Sequence, residues 1–132
     1  MKLSNTVSYA LQAVVRLTDT FGGAPVSCSA LTADGRMPDR FLLQILRNLV
    51  AHEIPISTRG VFGGYTLARP PEKITVLEIV EAIDGQITWA LPMARAFPTP
   101  ARRRLEATLG HAHEATRAKL ASVTVADLRA RR

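Results

Sequence analysis

The alternation of apolar and polar positions divides the chain into helical stretches and one short β-prone pair. Residues 5–20, NTVSYALQAVVRLTDT, put Ala10, Ala13, Val14 and Leu17 on one face at helical spacing. Ser4 or Asn5 can cap this helix, and Gly22-Gly23 ends it. Ser27 is an N-cap for a short helix running to Ala33, which stops at Asp34-Gly35. A longer helix opens with Pro38 in its first turn, where the missing N–H costs nothing, and runs to about His52. Short helix, tight turn, longer helix is the spacing of a helix-turn-helix.

The longer helix has two faces. Phe41, Leu42, Ile45, Leu46 and Leu49 form an apolar stripe expected to bury against the preceding helices. On the opposite side lie Arg36, Asp39, Arg40, Leu43, Gln44 and Arg47. Arginines and a glutamine there have the hydrogen-bonding chemistry that reads guanine and adenine edges. The plainer explanation is a solvated face, which Leu43 fits poorly because it would lie bare in water.

Two β-prone pieces follow, Ile54–Ser57 and Tyr65–Ala68, and can pair as a hairpin with Arg59–Gly64 at its tip. A hairpin directly after a helix-turn-helix is a wing. Gly60, Gly63 and Gly64 allow positive φ and close backbone approach. Arg59 at that tip suits the narrow, electronegative minor groove of DNA. Beyond Pro70-Pro71, Thr75-Val76-Leu77-Glu78 is a capping box that starts a helix stopped by Gly85. Residues 86–98 lack periodicity and hold two prolines, so they are expected to be a loop. Thr99-Pro100 starts the last long helix, which runs to about Ser122. Its stripe is Leu105, Leu109, Ala112, Thr116, Leu120 and Val123, which needs either the domain itself or a second copy of the chain as partner. Residues 124–130 form a short final helix in this reading.

Charge sharpens the picture. Residues 1–70 hold seven Lys/Arg against four Asp/Glu, residues 71–90 one against four, and residues 91–132 nine against three. Two basic ends around an acidic middle favour a polyanionic partner, of which nucleic acid is the commonest. An apolar fraction of 47% over 132 residues fits one globular domain. No run of about 18 apolar residues spans a membrane. The start MKLSNTVSYA lacks the apolar core of a signal peptide, so a cytoplasmic protein is expected. The lone cysteine, Cys28, has two readings: a small buried hydrophobe, or a redox switch whose thiolate a helix N-terminus would stabilise. His111 and His113 point about 200° apart on a helix and cannot share a metal. No nucleophile, base or phosphate-binding set stands out, so neither enzyme activity nor a cofactor is expected.

Several segments together resemble the Rrf2 family of bacterial winged-helix regulators. They are MKLSNTVSYAL at the start, PVSCSALTADGRMPDRFLLQIL across the helix-turn-helix, TRGVFGGYTLARPPEKITVLEIVEAIDG across wing and linker helix, and VTVADL near the end. The most specific part is the Arg-Gly-x-x-Gly-Gly-Tyr wing followed by a helix ending in Asp84-Gly85. The resemblance implies a mainly α fold with a small two-stranded β-wing. It divides the chain into a DNA-binding domain with linker helix over 1–85, a sensor-position loop over 86–98, and a dimerisation helix and tail over 99–132. It further implies a homodimer whose long C-terminal helices cross, bound to a pseudo-palindromic double-stranded DNA operator as a transcription regulator, in this reading a repressor. The helix from Pro38 would enter the major groove and the wing, with Arg59 and Gly60, the minor groove. Lys2 and Ser4 match a chain start that approaches phosphates. Cluster-bearing members carry three closely spaced cysteines in the loop that is here 86–98, which has none. The expected regulator therefore works without an iron–sulfur cluster. An effector, small molecule or protein, would enter at that loop, where Trp89, Met93 and Phe97 could line an apolar pocket. The alternative reading is a winged-helix module whose basic face binds an acidic protein.

Overall fold

The computed structural model describes residues 2–33 and 37–129. Helices α1 (Asn5–Thr18), α2 (Cys28–Leu31) and α3 (Asp39–Ala51) are followed by the antiparallel strands β1 (Pro55–Thr58) and β2 (Gly64–Leu67). Then come α4 (Val76–Asp84) and α5 (Thr99–Ala121), with single 3-10 turns at Pro71–Lys73, Ala94–Ala96 and Ala126–Leu128. The expected mainly α fold with a two-stranded wing is the fold found. No helix among the described residues is long and apolar enough to cross a membrane.

Local chemistry starts the helices where the sequence suggests. Ser4 accepts a hydrogen bond from the Val7 N–H, and Ser27 from that of Ala30, each satisfying a donor the helix leaves orphaned. α2 ends sooner than Ala33, at a cap residue, Thr32, whose backbone has left helical values with φ −103° and ψ 5°. At α4, Thr75 and Glu78 form the reciprocal capping box.

α3 ends without a glycine. Glu53 takes φ 59°, the Ile54 N–H reaches the Leu49 carbonyl at 3.1 Å, and the Glu53 N–H reaches that of Val50 at 2.9 Å. This is a Schellman closure. A non-glycine residue there costs about 1 kcal/mol; the fully buried Ile54 offsets it by dropping into the core directly beyond the turn. The closure turns the chain straight from α3 into the wing.

The core gathers Ala10, Ala13, Val14 and Leu17 of α1 around Leu42, Ile45, Leu46 and Leu49 of α3, with Ile79 and Ala82 of α4. Phe41 departs from the expected stripe and is 42% exposed. It lies a full 100° step before Leu42, at the edge of the buried face. Its ring meets that of Tyr9 edge to face, with centroids 5.6 Å apart.

The chain end returns to this core. The Val76 N–H donates to the Val123 carbonyl and the Val125 N–H to that of Ile74, at 2.9 and 2.8 Å. Val125 is completely buried in the main core. Leu120 and Val123 pack against Val7, Val76 and Val80 of the same chain. Leu120 is therefore not a free dimerisation residue, because it lies on the side of α5 that meets α4.

Two ion pairs tie α4 to its neighbours. Arg117 of α5 holds Glu81 at 2.6 Å, and the second Glu81 oxygen accepts the Ile87 N–H at 3.1 Å. Arg69, just beyond the wing, holds Glu78 at 2.9 Å. Burial pushes the Glu78 carboxyl up, but the Thr75 N–H and the Arg69 guanidinium outweigh it and hold it below its ordinary value. A depressed folded pKa stabilises the fold above the unfolded value, and that stability is lost as the carboxyl protonates on acidification. Glu78→Gln should therefore cost about 0.5 kcal/mol at pH 7, through the lost charge beside Arg69 and the helix start, since glutamine can keep the cap and the partly exposed pair is screened by solvent. The difference from wild type should shrink as pH falls below about 4.5, the carboxyl's ordinary value. Urea melts of both proteins at several pH values check this; a gap that persists unchanged at low pH would refute it.

Candidate nucleic-acid interface

The wing is held as a third strand-like residue joins its sheet. β1 and β2 pair from Pro55 opposite Leu67 to Thr58 opposite Gly64. On the other edge of β2, Val26 and Tyr65 exchange two backbone hydrogen bonds at 2.9 and 2.8 Å. Gly64 makes that approach feasible: a Cβ there would lie 2.4 Å from the Val26 carbonyl oxygen. At the tip the Gly63 N–H closes a turn onto the Gly60 carbonyl at 3.0 Å. Gly60 has φ 114°. The close approach allowed by Gly63 and Gly64 is thus to the protein's own backbone, while Gly60 stands in open space.

α3 and the wing stand either side of an open groove of about 380 Å³, lined by Leu43, Arg47, Val50, Ser57, Arg59 and Tyr65. Leu43 and Arg47, read from the helical face, and Arg59, read from the hairpin, thereby meet in one place. Val50, Ser57 and Tyr65 are additions; the strand alternation around the tip was the signal that could have placed Ser57 and Tyr65. Arg40, Gln44 and Arg47 are exposed along α3. Among the described residues, Arg40, Arg47 and Arg59 have neither ion-pair nor hydrogen-bond partners. Cations kept free on one face remain available to phosphate or base edges. Arg36 lies outside the described residues.

Other expected contacts are committed within the fold. The Ser4 hydroxyl caps α1 and donates to both Asp84 oxygens at 3.2 Å, so it is spent beside a carboxylate that would repel phosphate. Lys2 is exposed. Asp39, the first residue of α3, accepts from the Thr32 hydroxyl and so braces α2 against α3. The Cys28 thiol donates to the Asp39 carbonyl at 3.6 Å across the same junction. Burial, with the Asp39 charge behind it, pushes that thiol above its ordinary pKa. That direction runs against the thiolate stabilisation expected from the start of the short α2.

The 86–98 segment is largely irregular, with one 3-10 turn at Ala94–Ala96. Trp89 rests on α5, where a Cβ at Gly110 would meet its ring at 3.8 Å. Met93 is 80% exposed and Trp89 and Phe97 are both exposed, so the three do not enclose a pocket. α5 has no fully buried residue, and Leu105, Leu109, Ala112 and Thr116 are all at least partly exposed.

The fold is that of a winged helix-turn-helix protein, with a groove between α3 and the wing. The chain belongs to the Rrf2 family of iron-dependent transcriptional regulators, which matches residues 3–131. It is 37% identical over 87 residues to the HTH-type transcriptional regulator Rv1287 of Mycobacterium tuberculosis, a match covering 66% of this chain and 54% of that protein. It thus spans about half the length of that relative. It is 27% identical over 128 residues to the regulator CymR of Bacillus subtilis, covering 97% of this chain and 89% of that one. The solved structure of CymR, the global cysteine regulator of B. subtilis, superimposes with a TM-score of 0.79 at 26% identity, covering 97% of this chain and 95% of that chain. IscR of T. potens does so with a TM-score of 0.73 at 26% identity, covering 97% and 85%.

The residues present do not fit an iron–sulfur cluster, which is held mainly by thiolates. Cys28 is the single cysteine, bonded inside the helix-turn-helix. No group of three His, Cys, Asp or Glu among the described residues could hold a metal ion.

Proposed function

We propose that the protein is a homodimeric repressor that binds a pseudo-palindromic operator without an iron–sulfur cluster. The observation that carries this is the groove in which unpaired Arg47 and Arg59 meet Leu43 between α3 and the wing. In this reading α3 lies in the major groove, with Arg40, Gln44 and Arg47 on base edges and phosphates and Leu43 against a thymine methyl. Arg59 enters the adjacent minor groove, shaped by the turn at Gly60, and Lys2 approaches the phosphate backbone. A two-fold dimer presents two such faces to half-sites on one side of the duplex.

The test is a selection of bound duplexes from a randomised pool, followed by titration of Arg59→Ala at matched salt. The variant should bind about 5- to 150-fold more weakly, a loss of roughly 1–3 kcal/mol, with its fold intact. The same selection repeated with Leu43→Ala should lose discrimination at one base pair per half-site. Unchanged affinity for Arg59→Ala removes the wing contact. A wild type that enriches no duplex, yet captures acidic protein, favours the protein-interaction module instead.

A further inference from the structure

Val61 and Phe62 are neighbours at the wing tip and are the most exposed large apolar side chains among the described residues, at 95% and 91%. The backbone at the tip is tightly folded. A Cβ on Gly63 would lie 2.2 Å from the Thr58 carbonyl oxygen, and the base of β2 is hooked to Val26. The turn leaves both side chains out in water, where single exposed residues are ordinary but an adjacent exposed pair marks a contact surface.

The wing has two sides. Arg59 and Tyr65 line the groove facing α3. Val61, Phe62 and Gly63 line an apolar hollow of about 480 Å³ with Ala24, Pro25 and Val26, outside that groove. A protein interface of standard size needs about 800 Å² from each partner, more than a two-residue knob supplies. A convex knob with a free arginine two residues before it fits instead a narrow, anionic, concave surface whose walls are apolar. The minor groove of DNA is one: about 6 Å wide, strongly negative, and walled by deoxyribose rings.

We propose that Val61 and Phe62 pack against the deoxyribose wall of the minor groove on the side away from α3, while Arg59 occupies the groove's electronegative floor. This rests on the DNA-binding reading. The apolar grip adds affinity that salt does not screen, unlike the release of counterions by arginine and lysine.

The test uses the full-length protein and a duplex of about 30 bp selected by the wild type, titrated by anisotropy over a salt series. Phe62→Ser should bind about ten-fold more weakly with an unchanged slope of log affinity against log salt, whereas Arg59→Ala should flatten that slope by about one. Phe62→Leu should recover the affinity to within about three-fold, since a wall contact asks for apolar bulk rather than an aromatic ring. Phe62→Ser binding within about two-fold of wild type would overturn the proposal. So would a changed salt slope, or a change in oligomeric state by light scattering, which would make the knob a contact between proteins. Bright 2-aminopurine in the wild-type complex would overturn it too, placing the ring between base pairs instead. A wild type that selects no duplex removes the DNA reading itself, and this proposal with it.

Discussion

Gly64→Ala will unhook the wing. The added Cβ would meet the Val26 carbonyl oxygen at 2.4 Å, the Val26 carbonyl carbon at 2.5 Å and the Ser27 nitrogen at 2.8 Å. All three are backbone atoms, so no side chain can rotate away. Gly64 also sits at φ 153°, which alanine rarely adopts. Relief requires β2 to leave Val26, breaking both hydrogen bonds of that bridge and loosening the connection before α2. The expected loss is about 3 kcal/mol or more in urea melts, with DNA binding falling alongside as Arg59 loses its fixed position. Gly60→Ala is the contrast: nothing lies within 4 Å of its Cβ and only its φ of 114° opposes the change, so about 1 kcal/mol is expected. Equal melts for Gly64→Ala and wild type would mean that the wing is not anchored through Val26.

The glycines also show how far the sequence could be read. That TRGVFGGY forms a hairpin tip follows from composition alone, because neither helix nor core strand tolerates such spacing. Which glycine serves which purpose does not, since Gly64 is required by Val26, 38 positions earlier in the chain. Helix starts were legible wherever a local rule acts: Ser4, Ser27 and the Thr75–Glu78 box each bond within three residues. The end of α3 was legible only approximately, because its closure uses Glu53 in a conformation that ordinarily signals glycine.

Side chains with two chemically sound roles were less legible. Ser4 reads equally as a cap or a phosphate contact, and only the proximity of Asp84, 80 residues away, commits it. Arg117 reads as one more basic residue of a cationic end, yet it crosses to Glu81 and joins α5 to α4. The basic surplus of residues 91–132 therefore overstates the charge available to a polyanion. Cys28 likewise depends on a burial that spacing cannot reveal.

The long stripe of α5 divides for the same reason, and the division makes the second large prediction specific. Its C-terminal part, Leu120 with Val123, belongs to the domain's own packing. Its earlier part has no such cover: Leu105 is 36% exposed, and Trp89 and Phe97 of the 86–98 segment are 39% and 37% exposed. A helix of 23 residues with no fully buried position leaves this part of its apolar stripe without cover from its own chain. A second copy packed along Leu105, Leu109, Ala112 and Thr116 would cover it, with Trp89 beside Gly110 at the edge of that seam. Leu109→Glu should then leave the DNA-reading core folded while converting a dimer to a monomer in light scattering, because a carboxylate in a packed helix seam is costly. Loss of the linkage between two half-sites should lower operator affinity by about 10²- to 10⁴-fold, the usual gain from joining two binding modules. Leu120→Glu should do the reverse, destabilising the monomer fold in urea by about 2 kcal/mol or more through the Val7–Val76–Val80 cluster. A monomeric wild type, or a Leu109→Glu protein that remains dimeric with full operator affinity, would place the partner of α5 elsewhere.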